Sequence, residues 1–215
     1  CLVSLVKFPF KAPSDDLPHF SLDRFFLPQG FLLFLNLAMI TTVVGMLFSL
    51  QQTETFYSML MTGFVLALLA EKYAFPDADL KSEVITGLIL MGAAVLIMFT
   101  RQQMAISFIS PAMIGFGIGV IGSRFLLFYI KLAKHCQRGT SQSSFFLAWE
   151  LGVSLGLFLG FGCLGKHSVC NLEGYFPVMK VAHENILIVC LALLVVSLVF
   201  YNFLVHPWFM KHKNR

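Results

Sequence analysis

Apolar residues fall into six blocks along the chain, at about 30–50, 56–74, 84–100, 104–123, 143–165 and 185–206. At 1.5 Å of rise per residue, each block spans or nearly spans a hydrocarbon core of about 30 Å. A bilayer offers no partner for a free backbone amide, so each block predicts a helix. The block at 84–100 is the shortest and the weakest of these. Polar or helix-breaking segments part the blocks. They are Gln51-Gln52-Thr53-Glu54, Phe75-Pro76-Asp77-Ala78-Asp79, Arg101-Gln102-Gln103, a basic loop at 131–144, and a long loop at 166–184 holding Asn171, Gly174 and Pro177. Proline with two aspartates favours a turn between the second and third helices. The fold class expected is an all-α membrane protein, a six-transmembrane-helix bundle over 30–207. Residues 1–29 are broken by Pro9 and Pro13 and read as a cytoplasmic connector, and 208–215 as a basic cytoplasmic tail.

Composition agrees with that pattern. Hydrophobic residues make up 58% and charged residues 12%, with a mean hydropathy of +0.82. Soluble domains carry about 25% charged residues, so this chain has too little charge to cover a water-facing surface. The net charge of +4 does not indicate nucleic acid, because the basic residues sit between the apolar blocks and form no compact face. Their distribution orients the chain instead. With the amino terminus inside, all of the 15 lysines and arginines except Arg101, Lys166 and Lys180 fall on the cytoplasmic side. Six spans with both ends inside follow from the positive-inside rule. The chain opens on Cys1 without a leader pattern and reads as part of a longer protein. Its five cysteines show no disulfide framework. The histidines have no metal-ligand spacing and no phosphate-cradling loop is present, so neither metal nor cofactor is expected.

A few positions carry candidate chemistry. Glu150 is the acid set most clearly within a span, about one and a half to two turns into the fifth helix. A carboxylate there is costly unless paired, hydrated or protonated. It reads as a gate ion pair, a proton-coupling group or a hydrated anchor. Gly152, Gly156 and Gly160 recur every four residues on one helix face, where a second helix can approach closely. The fourth helix holds Pro111 with Gly115, Gly117, Gly119 and Gly122, which suit either a bending hinge or static packing. Asn36, Thr41, Thr42, Ser107 and Ser110 are polar groups that either line a solute cavity or bond between helices. Gly152-Val153-Ser154-Leu155-Gly156 matches the pattern of a hydrolase nucleophile, but that motif needs a strained strand-to-helix turn. It lies in an apolar helix, with His183 and His206 at other depths. A six-helix membrane enzyme using Ser154 and a non-catalytic membrane scaffold stay as alternatives. No residue-level match shows an internal three-plus-three repeat.

The stretch Arg138-Gly139-Thr140-Ser141-Gln142-Ser143-Ser144, continuing through Ala148-Trp149-Glu150-Leu151-Gly152 to Gly156, resembles the major facilitator superfamily at the loop leading into its eleventh helix. Bacterial members often show arginine-glycine-threonine-alanine there, then an acidic residue and paired glycines; Ser141 stands in place of the alanine. Ile130-Lys131-Leu132-Ala133-Lys134-His135 is similar to the segment before that loop. The resemblance implies that the six helices are the second half of a twelve-helix fold in a bacterial inner membrane, facing an amino-terminal six-helix half not contained in this chain. It implies secondary transport of a small solute by alternating access, with proton-driven efflux as the form expected. Asn36, Thr41, Thr42, Ser107 and Ser110 would then face the solute. Glu150 and Arg138 would serve as coupling or gate groups, with Glu150 meeting a basic residue of the other half. The stripe Gly152, Gly156 and Gly160 would lie at the contact between halves.

Overall fold

The computed structural model describes residues 26–50, 53–73, 79–100, 104–133, 138–164 and 175–213. The connector before residue 26 and residues 166–174 of the expected long loop lie outside the described residues, while 175–184 of that loop are helical in α6. A short 3-10 turn, Pro28–Gly30, leads into α1 (Phe31–Leu50). Next come α2 (Glu54–Tyr73), α3 (Leu80–Thr100), α4 (Met104–Leu132), α5 (Arg138–Phe158) and α6 (Tyr175–Phe200). The π-helical segment Leu159–Leu164 extends α5. A π-helical segment at Tyr201–Val205 joins α6 to a final helix, α7 (His206–His212). There is no strand among the described residues. Five of the helical segments are long and apolar enough to cross a bilayer, and the chain is a multi-pass membrane protein.

The boundaries differ from the sequence pattern in instructive ways. The third helix is not the weak one: α3 starts at Leu80 and has 21 residues. Asp79 occupies its N-cap position, and its carbonyl accepts the first bond from Glu83 N–H. The helix that falls short is α2, which carries Glu54 in its first turn and Glu71 and Lys72 in its last. The fourth helix does not stop at 123 but runs on to Leu132. The fifth begins at Arg138, so most of the expected basic loop at 131–144 is helical. Ser141 Oγ–H donates to the Tyr129 carbonyl near the end of α4. Ser144 Oγ accepts from Leu27 N–H at 2.8 Å. Residues 206–212 are likewise helix rather than loose tail. Pro207 has no N–H to give, and the π-helical segment before it lets His206 N–H reach back to the Tyr201 carbonyl. Phe209 of α7 then packs on Phe128 with ring centroids 4.6 Å apart.

The helices pair in an ordered way. α1 packs on α5 and α6, α4 packs on α2 and α3, and α3 packs on α6. Exchanging the first three helices with the last three maps α1–α5 onto α4–α2 and α1–α6 onto α4–α3, and leaves α3–α6 unchanged. Directions agree with this exchange. α1 and α5 run parallel: Gly152 faces Thr41, Gly156 faces Thr42 and Gly45, and Gly160 faces Ser49. α2 and α4 also run parallel: Leu60 meets Gly115, Ala67 meets Gly119, and Glu71 meets Ser123. α3 opposes α4, with Glu83 near Arg124 and Met91 near Gly117. Three consecutive up-and-down helices reverse the sense of the next three, so the pairing is that of an inverted repeat. The residue-level comparison missed it because these contacts are made by glycines and backbone, whose placement need not repeat in sequence.

Candidate functional site

A charged cluster is built on α4. Glu71 is in the last turn of α2 and Glu83 in the first turn of α3. The short connection between those helices keeps both acids at the same end. Arg124 lies two turns before the end of α4, between them. Its Nη2 donates to Glu83 Oε1 at 2.6 Å, and its Nε pairs with Glu83 Oε2. The Nη2 contact is a charge-assisted hydrogen bond, whereas Nε and Oε2 meet as an ion pair without a hydrogen bond. The same Nε is 3.5 Å from Glu71 Oε1. Ser123 Oγ–H donates to Glu71 Oε1, and that Oγ lies 2.9 Å from the Val120 carbonyl oxygen.

Burial gives the cluster its weight. The side chain of Glu83 is 9% exposed, and those of Glu71 and Arg124 are 17% each. Glu71 and Glu83 share one guanidinium, so the formal charges of the three groups leave one negative charge in excess. One proton or one monovalent cation balances it. Beside the two acids opens a cleft of about 210 Å³, lined by Glu71, Ser82, Glu83, Thr86, Gly87, Leu90, Phe116 and Val120.

The sequence pattern did not single out this cluster, although a signal was present. Phe125-Leu126-Leu127-Phe128-Tyr129-Ile130 follows Arg124 without a break. Six apolar residues after an arginine show that the helix continues and that the arginine is internal to it.

The residues that were singled out are arranged differently from expectation. Asn36 is fully buried and donates through Nδ2 to the Ser197 carbonyl at 3.0 Å and to Ser197 Oγ at 3.2 Å. Thr41 bonds the carbonyls of Leu37 and Ala38 and reaches that of Ala148 at 3.4 Å. Thr42 bonds the Ala38 carbonyl at 2.7 Å. Ser110 is buried, and its hydroxyl has no hydrogen-bond partner among the described residues. Ser107 is exposed. These five therefore do not converge. The Asn36 amide nitrogen and the Thr41 and Thr42 hydroxyls bond inside the bundle, and Asn36 Oδ1 is buried without a partner among the described residues; none of the five lines the cleft beside Arg124.

The glycine stripe of α5 faces α1 of this same bundle rather than a separate half. On α4, Gly115 and Gly119 are pressed by α2, and Gly117 by Met91 of α3. α4 runs unbroken through Pro111, and these glycines serve close packing. Ser154 is exposed within unbroken α5, without the strained turn that a hydrolase nucleophile needs.

Glu150 sits level with the charged cluster, because its neighbour Trp149 meets Gly122 of α4, two residues before Arg124. It lies twelve residues after the first residue of α5, about 18 Å along the axis. It is exposed, with no bond or ion pair among the described residues. Arg138 is also exposed, and the same 18 Å separates it from Glu150, so the two do not pair with each other. Phe146, Leu147, Leu151, Leu155 and Phe158 are exposed around and beyond Glu150 on α5. No protein-family model, curated protein or solved structure matches the chain.

Proposed function

We propose that this chain is the carboxy-terminal six-helix half of a major facilitator-like secondary transporter, moving a small solute by alternating access without cofactor chemistry. The observation that carries the reading is the inverted three-plus-three pairing of the helices. Nested inverted repeats of this kind occur within each six-helix half of that superfamily. The Arg138–Gly156 stretch supports the same assignment by resemblance. The charge distribution puts both ends of the described bundle in the cytoplasm. The Glu71–Arg124–Glu83 cluster then lies at the cytoplasmic end and ties α2, α3 and α4 into one unit that rocks as a body.

Glu150 supports an incomplete bundle. A carboxylate among exposed apolar side chains of a spanning helix is costly unless paired, hydrated or protonated. Among the described residues it has no partner, and we assign the α5 face around Glu150 to the other half, with a cation opposite. The pair forms in one state of the transport cycle and breaks in the other.

Cysteines introduced singly at Leu147 and Leu151 of the full-length protein in proteoliposomes test the reading. Labelling by membrane-impermeant reagents should switch between the two sides when a transported solute is added. Accessibility from one side only, unchanged across a solute panel, contradicts alternating access. Glu150→Gln should leave the six-helix bundle folded, since Glu150 has no partner among the described residues. It should shift the labelling balance about tenfold, or about 1.4 kcal/mol. An unchanged balance removes Glu150 from the gate.

A further inference from the structure

α2 and α3 both pack on α4 but hardly on each other. Between them the floor of α4 is open. The cleft beside Glu71 and Glu83 shares Leu90 and Phe116 with a second cleft of about 420 Å³, which continues past Thr62 and Ala112 to Phe108. Together they form one groove, acidic at the cytoplasmic end and apolar for the rest. From Val120 to Phe108 it follows α4 for twelve residues, about 18 Å. One leaflet of a hydrocarbon core is about 15 Å deep. The groove thus has the length of one acyl chain, and its acidic end falls where a headgroup would be.

We propose that this groove binds one chain of a phospholipid whose headgroup carries a primary ammonium, held by Glu71 and Glu83. Charge selects the headgroup. The cluster of Glu71, Glu83 and Arg124 has one negative charge in excess, which an ammonium balances and an anionic headgroup would worsen. An unfilled acceptor selects it further. Arg124 Nη2 donates to Oε1 of Glu83 and Ser123 to Oε1 of Glu71, while the buried Oε2 of Glu83, in ion-pair contact with Arg124, accepts no hydrogen bond. Glu71 Oε2 has no hydrogen-bond partner among the described residues. A primary ammonium has three N–H donors for such a site, and a trimethylated one has none. The inference needs only the membrane setting and stands whether or not the protein transports a solute.

The full-length protein is reconstituted into nanodiscs of phosphatidylethanolamine or of phosphatidylcholine with the same acyl chains. The expected Tm is about 5 °C higher in phosphatidylethanolamine, and the difference disappears in Glu71→Gln and in Leu90→Trp, which fills the groove. Should either variant fail to fold, a benzoylphenylalanine placed at exposed Thr62 keeps the question decidable. On irradiation in mixed-lipid discs it should acquire the mass of phosphatidylethanolamine above its share of the bilayer. Equal Tm values in the two lipids, a difference that survives Leu90→Trp, adducts that follow bulk lipid composition, or an adduct to polypeptide would each overturn the proposal. The last would give the groove to another protein segment.

Discussion

Arg124→Ala destabilises the protein by about 3–5 kcal/mol, because it leaves Glu83 nearly buried without its cation. The loss exceeds that of an ordinary surface ion pair, worth about 0–1 kcal/mol, since Arg124 holds Glu83 by a hydrogen bond and a close ion pair and the Glu83 side chain has almost no access to water. Most of the cost is the stranded carboxylate rather than the pair's own worth. Removing all the charges together therefore recovers most of it: Arg124→Met combined with Glu83→Gln and Glu71→Gln should return to within about 1–2 kcal/mol of the parent. Denaturant unfolding of the reconstituted protein, followed by the emission of Trp149 and Trp208, measures both values. A loss below 1 kcal/mol for Arg124→Ala would mean that water reaches Glu83 freely and that the cluster is a surface feature.

The triple variant also separates stability from function. If the cluster only fastens α2, α3 and α4, the uncharged version should keep the labelling switch at Leu147 and Leu151. If the excess negative charge takes part in coupling, the switch should be lost while the fold remains. A structural role alone would not produce that second result.

The helices were legible because a bilayer leaves the backbone few options. Their ends were less so. A hydropathy reading stops a span at the first charge, and this placed Arg124 and Glu83 just outside α4 and α3. In the folded protein these two charges cancel much of each other's cost, so both helices continue through them. The polar residues chosen for a cavity failed for a different reason. A hydroxyl or amide in an apolar helix satisfies itself on a nearby carbonyl, as Thr42 does on Ala38 and Asn36 on Ser197. Spacing along one helix cannot reveal which carbonyl is near. The glycine stripe was read as a close-contact face, and the structure adds that α1 is what it contacts.

That contact yields a prediction opposite in sign to a glycine elsewhere in the bundle. A β-carbon at Gly156 would meet the Thr42 carbonyl oxygen, and would lie 2.8 Å from Gly45 Cα and 2.8 Å from Met46 N. These are backbone atoms of a facing helix and cannot swing aside. Gly156→Ala must part α1 from α5, and overpacking of this kind costs about 1–3 kcal/mol. Gly115→Ala, on the equivalent contact under the three-plus-three exchange, meets the Leu60 carbonyl and should cost a similar amount. At Gly92 nothing lies within 4 Å of an added β-carbon. Gly92→Ala should instead stabilise α3 by about 0.5–1 kcal/mol through helix propensity. The two clashing sites belong to separate helix pairs, so the double variant should lose the sum of the single losses to within about 0.5 kcal/mol. The same unfolding measurement reads all four variants. If Gly156→Ala were neutral while Gly92→Ala gained stability, α1 and α5 would be free to separate by the width of a methyl group, and the parallel glycine contact would not be what fixes the two three-helix units together.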